Sequence, residues 1–150
     1  MKIVSGGQTG VDRAALDVAM DLGLEVGGWC PQGRRAEDGT LPARYPLQET
    51  PLPFLSQRTE WNVRDSDGTL ILYRGMIGGG THLTAELARR YGRPLLELDL
   101  SASEDTGKVW QWLERHPISI LNVAGPRESG ESGIQAQAQV FLRKLLVPKP

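Results

Sequence analysis

Residues 5–12, Ser-Gly-Gly-Gln-Thr-Gly-Val-Asp, gather groups suited to holding an anion. Gly6, Gly7 and Gly10 carry no Cβ, so the backbone can take a positive φ and a ligand can come close. Gln8 and Asp12 could read ring nitrogens or hydroxyls. Thr9 and Asp12 stand three apart, in the pattern of a helix cap followed by an acid in the first turn. A short apolar run precedes them, and Val11, Ala14, Ala15, Val18, Ala19 and Leu22 follow at helical spacing. The glycines therefore sit where a strand becomes a helix, a place whose N–H groups and dipole attract negative charge. A plain βα turn without a ligand gives the same pattern. Neither G-x-x-x-x-G-K-[ST] nor G-x-G-x-x-G occurs, and Trp29 and Cys30 stand at the second strand's tip in place of an acid. Both facts argue against a P-loop NTPase and an ordinary nicotinamide dehydrogenase.

Two further turns have the same character. Residues 77–81 follow an apolar stretch and include Gly79, Gly80 and Thr81, with His82 and Thr84 in the next helical turn. Residues 122–129 contain Gly125, Pro126 and Arg127. A polar cluster at residues 32–39 adds Arg34 and Arg35, which could fork onto an oxyanion, and the acids Glu37 and Asp38. It opens a proline-rich segment, residues 30–57, of little expected regular structure; loops of that length are usually functional lids or disordered.

The elements that must position these turns follow from hydrophobic pattern. Strands are expected at residues 1–4, 24–29, 68–73, 95–100 and 118–123. Helices are expected after the first turn to Leu22-Gly23, at 59–65 with Thr59 as cap, and after Thr81 to Gly92. Two more should follow Ser101 or Ser103 and carry Ile134, Ala138, Phe141, Leu142 and Leu145. Residues 147–150 should fray. Alternating strands and helices predict an α/β fold, with a mainly parallel five-stranded sheet in a three-layer αβα sandwich. Right-handed crossovers would bring all three turns to the carboxyl edge, where such sheets bind ligands.

Composition sets bounds. The chain has 150 residues, 39% of them hydrophobic, enough for one domain with a substantial core. A net charge of −1 advertises neither nucleic acid nor membrane binding. The lone Cys30 excludes an internal disulfide and a multi-cysteine metal site. No apolar stretch of signal-peptide length opens the chain, so a soluble, cytoplasmic protein is expected.

The motifs Gly6-Gly7-Gln8-Thr9-Gly10-Val11-Asp12, Gly28-Trp29-Cys30-Pro31-Gln32-Gly33-Arg34-Arg35-Ala36-Glu37-Asp38-Gly39, Thr59-Glu60-Trp61-Asn62-Val63-Arg64-Asp65-Ser66-Asp67-Gly68-Thr69-Leu70, Gly79-Gly80-Thr81 and Asn122-Val123-Ala124-Gly125-Pro126-Arg127 span nearly the whole chain. Together they resemble the molybdenum-cofactor carrier proteins, the circularly permuted YpsA branch of the SLOG superfamily. The resemblance implies a Rossmann-like fold, a homo-oligomer (dimer or tetramer) and binding of molybdenum cofactor, a phosphate-bearing pterin. It implies a binding set of Gly6, Gly7, Gln8, Thr9, Gly10, Asp12, Arg34, Glu37, Asp38, Gly79, Gly80, Thr81, Gly125, Pro126 and Arg127. Phosphoribohydrolase relatives carry P-G-G-x-G-T-x-x-E. Here Thr84 occupies the glutamate position and the acid comes only at Glu86, about 200° further round a helix.

The sequence thus reads as a carrier of a phosphate-bearing small molecule, with no catalytic residue and no protein-held metal. The alternatives are an N-glycosidase acting on nucleotides through Glu37, Asp38 or Glu86, and a sensor of nucleotide-derived ligands. Cys30 could be a molybdenum ligand, since thiolates suit soft metals, or a small buried hydrophobe. Trp110 and Trp112, two apart on one helix, leave room for a subunit contact.

Overall fold

A computed structural model describes residues 1–147. Its central sheet is parallel and five-stranded, in the order β2-β1-β9-β7-β8. These strands are β1 (Lys2–Val4), β2 (Glu25–Gly27), β7 (Gly68–Tyr73), β8 (Leu95–Asp99) and β9 (Ile120–Ala124). The helices are α1 (Val11–Asp21), α2 (Leu55–Arg64), α3 (Gly79–Arg90), α4 (Thr106–Arg115) and α5 (Ile134–Leu146). Right-handed crossovers send α1 and α4 to one face and α2 and α3 to the other. Accordingly α5 packs on α1 and α4, while α2 packs on α3. The layered α/β fold expected from the sequence is present.

The face under α1, α4 and α5 holds the main core. Ile3, Leu70, Leu72, Leu121 and Val123 from the sheet meet Val11, Ala15, Val18, Ile134, Phe141, Leu142 and Leu145, all at most 1% exposed. Each large side chain there contributes about 1.5–3 kcal/mol through removal from water. Trp112 lies in this core and the half-buried Trp110 packs against it. A smaller cluster, Val63, Leu87 and Ala88, seals α2 against α3.

Several boundaries differ from expectation for local reasons. The second strand ends at Gly27, because Gly28 turns the chain with φ 121°. A Cβ at Gly28 would lie 2.5 Å from the Ser5 carbonyl oxygen. Beyond it β3 (Trp29–Cys30) pairs in parallel with β6 (Gln48–Glu49). The Asn62 side chain takes the place of a strand partner, accepting from Trp29 N at 2.8 Å and donating to its carbonyl at 3.0 Å. The proline-rich segment is ordered, not structureless. It includes a hairpin, β4 (Arg35–Ala36) with β5 (Gly39–Thr40), and its own core of Leu16, Cys30, Leu41, Tyr45 and Leu47.

Caps differ as well. Gly10 and Gly78 occupy the N-cap positions of α1 and α3, with no side-chain cap bond, so neither Thr9 nor Thr81 caps a helix. α2 begins at Leu55, one turn before Thr59. α4 is capped by Asp105, whose carboxylate accepts from Gly107 N at 2.9 Å, and not by Ser101 or Ser103. Gly23 and Gly92 do end α1 and α3, with φ of 74° and 65°. Val147 follows α5; the rest of the expected fraying tail, residues 148–150, lies outside the described residues.

Candidate functional site

The turns after β1, β9 and β7 follow three adjacent strands, and they meet around one cavity of about 470 Å³. Gln8 and Asp12 line it from the first turn and α1. Gly79, Gly80 and Thr81 line it from α3, and Gly125, Pro126 and Arg127 from the third turn. Eight of the fifteen expected binding residues are therefore brought together.

The first turn is closed by the protein itself. Gly10 N donates to Gln135 Oε1 at 2.8 Å, Val11 N to the Pro126 carbonyl at 3.2 Å, and Thr9 N to Gln8 Oε1 at 3.1 Å. Its glycines serve close packing. A Cβ on Gly6 would sit 2.0 Å from Arg58 Nη1, one on Gly7 2.9 Å from Leu47, and one on Gly10 2.1 Å from the Pro126 oxygen. Gly125 is equally tight, 2.2 Å from the Leu72 oxygen. Only the second turn is open: nothing lies within 4 Å of a Cβ at Gly78, Gly79 or Gly80. There the start of a twelve-residue helix, whose first N–H groups have no partner within the helix, lines the cavity without a bulky side chain at Gly78, Gly79 or Gly80.

The polar cluster at residues 32–39 has a different task from the one expected. Arg34 donates to the carbonyls of Leu41, Leu47, Pro42 and Tyr45 at 2.8–3.3 Å, which fixes the long segment and keeps the guanidinium out of the cavity. Glu37 accepts from the Thr9 hydroxyl, from Ser129 N at 3.1 Å and from the Ser129 hydroxyl, with Arg127 Nε 3.8 Å away. The Ser129 and Thr9 hydrogen bonds hold its carboxyl below the usual range. Asp38 takes Arg13 Nη1 and Nη2 at 3.0 and 3.1 Å, and that guanidinium lowers its pKa. Arg13 also donates to the Gly7 carbonyl. Gly6, Gly7, Thr9, Gly10, Arg34, Glu37 and Asp38 thus build the wall rather than line the cavity.

Sequence reasoning missed the contribution of α2. Leu55, Ser56, Arg58 and Thr59 line the cavity, and Arg58 Nη1 pairs with Asp12 Oδ2 at 3.0 Å. Asp12 is 3% exposed, and burial pushes its carboxyl above the ordinary value, against the opposing pull of Arg58. The spacing of Leu55, Thr59 and Val63 is the one sequence signal, a weak one, for a helix that starts before Thr59.

The remaining candidates lie apart. His82 and Glu86 face each other at 3.7 Å, both largely exposed and outside the cavity lining, while Thr84 lines it. Cys30 is 1% exposed among Leu16, Leu41, Tyr45 and Leu47, and burial raises its thiol pKa; it packs as a small hydrophobe. Among the described residues no group of three or more His, Cys, Asp or Glu is placed to hold a metal ion. None of the helices there is long and apolar enough to cross a membrane.

Comparison with known proteins agrees with this architecture. Residues 3–146 match the model of the circularly permutated YpsA SLOG family. The crystal structure of a protein from Syntrophus aciditrophicus SB, named a putative molybdenum carrier protein, is 46% identical, with a TM-score of 0.94. The alignment covers 97% of this chain and 94% of that one. No curated protein matches. On the family match over nearly its whole length, this chain belongs to the circularly permutated YpsA SLOG family.

Proposed function

We propose that the chain is a carrier that holds a phosphate-bearing molybdenum pterin in the cavity at the carboxyl ends of β1, β9 and β7, and does no chemistry on it. One observation carries the reading: the side-chain-free start of α3, Gly78–Gly80, lines this cavity, and the exposed Arg127 lines the same space. The name of the Syntrophus relative supports molybdenum as part of the cargo.

The residues fit such a guest. The volume falls within the range of small-molecule sites, about 300–1,000 Å³. The α3 amides and Thr81 would take the phosphate, and Arg127 would add a charge-assisted contact worth about 1.5–3 kcal/mol. Leu55, Met76, Leu83 and Pro126 supply apolar walls for a ring system. The cargo brings its own dithiolene sulfurs for molybdenum, so the buried Cys30 is not needed as a ligand.

Acid–base chemistry finds little support here. Glu37 and Asp38 are tied into the wall, Glu86 lies outside, Asp12 is paired with Arg58, and Glu131 lies 3.6 Å from Arg74. The test is elemental analysis and mass spectrometry of protein purified from molybdenum-replete cells, together with incubation with nucleoside monophosphates. Molybdenum and phosphorus at about one per chain, with no free base released, is the expected result. Release of free base would establish the glycosidase, and a bound adenine compound without molybdenum would establish a nucleotide sensor.

A further inference from the structure

Gln8 lines the cavity and is 9% exposed, and the protein fixes which end of its amide faces inward. Its Oε1 accepts from Thr9 N at 3.1 Å and from Glu37 N at 2.8 Å. Two main-chain donors on one oxygen decide the orientation, because a flipped amide would set its NH2 against both N–H groups. Nε2 is left pointing away from them. Among the described residues it has no hydrogen-bond partner, and it keeps accessible surface, so a guest can reach it. Gln8 thus offers the cavity a donor and not an acceptor.

The residue that aims it comes from another part of the chain. Glu37 sits at the turn of the β4–β5 hairpin, between Ala36 and Gly39. Its main-chain N–H holds Gln8, while its carboxylate accepts from the Thr9 hydroxyl, from Ser129 N at 3.1 Å and from the Ser129 hydroxyl. The Thr9 hydroxyl accepts in turn from Glu128 N at 3.2 Å. One residue therefore ties the first turn to the third, beside Arg127, which lines the cavity with a side chain 56% exposed. Asp38, next along the hairpin, turns instead to Arg13. We infer that Glu37 is the positioning residue of the anion site: it sets the Gln8 amide donor-first toward the guest's oxyanion and holds the turn from which Arg127 reaches it. Side chains ordered beforehand lose less freedom when the guest arrives. The inference rests on the cavity taking an oxyanion-bearing ligand and adds what keeps the site ready for it.

Position has to be separated from charge, since losing the Glu37 carboxylate also removes a negative group near the anion. Glu37→Gln and Glu37→Ala lose the same charge. In Glu37→Gln the side-chain carbonyl can accept from Thr9 and from Ser129 N, and its NH2 can donate to a reversed Ser129 hydroxyl. Glu37→Ala loses all three contacts. The test is calorimetric titration of wild type, both variants and Asp38→Asn with inorganic phosphate, while magnetic resonance follows the Gln8 side-chain NH2. Glu37→Gln should bind phosphate about fivefold tighter than Glu37→Ala and within about threefold of wild type. Asp38→Asn should lose stability in urea unfolding yet bind phosphate within about twofold of wild type. The Gln8 NH2 signals should move and saturate in wild type and in Glu37→Gln. Equal affinities of Glu37→Gln and Glu37→Ala, or Gln8 signals indifferent to phosphate in wild type, overturn the inference and leave an anion site at α3 standing. A wild type that binds no phosphate at all overturns both.

Discussion

Substituting alanine at Gly80 and at Gly10 should move stability and binding in opposite directions. Gly80 lies in the first turn of α3 at an ordinary helical φ, and nothing stands within 4 Å of its missing Cβ. Alanine there gains helix propensity and loses unfolded-state entropy, about 0.5–1 kcal/mol. For a chain of this size the melting temperature should rise by roughly 1–4 °C. The same methyl group stands in the cradle and displaces the anion from the helix amides. Loss of one charge-assisted hydrogen bond, about 1.5–3 kcal/mol, weakens phosphate binding tenfold or more. Gly10 behaves otherwise. Its φ is 83°, and an alanine Cβ would lie 2.1 Å from the Pro126 oxygen and 2.8 Å from the Arg127 Cα. Left-handed strain of about 1–2 kcal/mol adds to overpacking against backbone of about 1–3 kcal/mol. Thermal unfolding followed by circular dichroism, with calorimetric phosphate titration, reads both effects. A Gly80→Ala protein that binds phosphate like wild type, or a Gly10→Ala protein that melts like it, would refute the assignment of open and closed turns.

Arg34→Ala should lower stability by roughly 3 kcal/mol in urea unfolding, since a guanidinium on four carbonyls is lost, yet leave phosphate affinity within about twofold. Cys30→Ala should retain as much molybdenum and phosphorus as wild type on elemental analysis and lose only about 1 kcal/mol of stability, as a small buried side chain. Asp12→Asn should cost about 3 kcal/mol in urea unfolding, because it leaves the largely enclosed Arg58 guanidinium (14% exposed) without its counter-charge. Glu37 and Asp38 have folded-state pKa values below their ordinary 4.5 and 3.8, so the stability they add is full above about pH 4.5 and lost as pH falls through those lower values. The protection factors of amides in residues 35–40, corrected for intrinsic exchange, should therefore fall as pH drops through those lower values, and a Glu37→Gln, Asp38→Asn double variant should lack that step.

The layered fold was legible because its signals are local and repeated. The apolar spacing of α1 and α5 and the short buried run of β7 each dictate one element, and Ile134, Ala138, Phe141, Leu142 and Leu145 are buried as their periodicity predicts. Convergence of the three turns followed from handedness alone. Which glycines leave space was not legible, because the space beside Gly10 and Gly80 depends on what another part of the chain brings against them. Arg34, Glu37 and Asp38 looked like ligand groups because residue type cannot tell a charge that holds a loop from one that holds a guest. Thr59 has the residue type of a cap, whereas the pattern of α2 before it is weak and its N-cap is Phe54, not a polar residue. Several deciding contacts span dozens of residues, such as Arg58 to Asp12 or Ser129 to Glu37, and those of Arg34 close a loop that no local pattern marks.

Amide chemical shifts during titration with inorganic phosphate test the anion site most directly. The signals of Gly79, Gly80 and Thr81 should move together and saturate, while those of Gly7, Thr9 and Gly10 stay in place because their partners lie within the protein. Movement of the first-turn amides with α3 silent would contradict the account, and so would a titration that moves neither set.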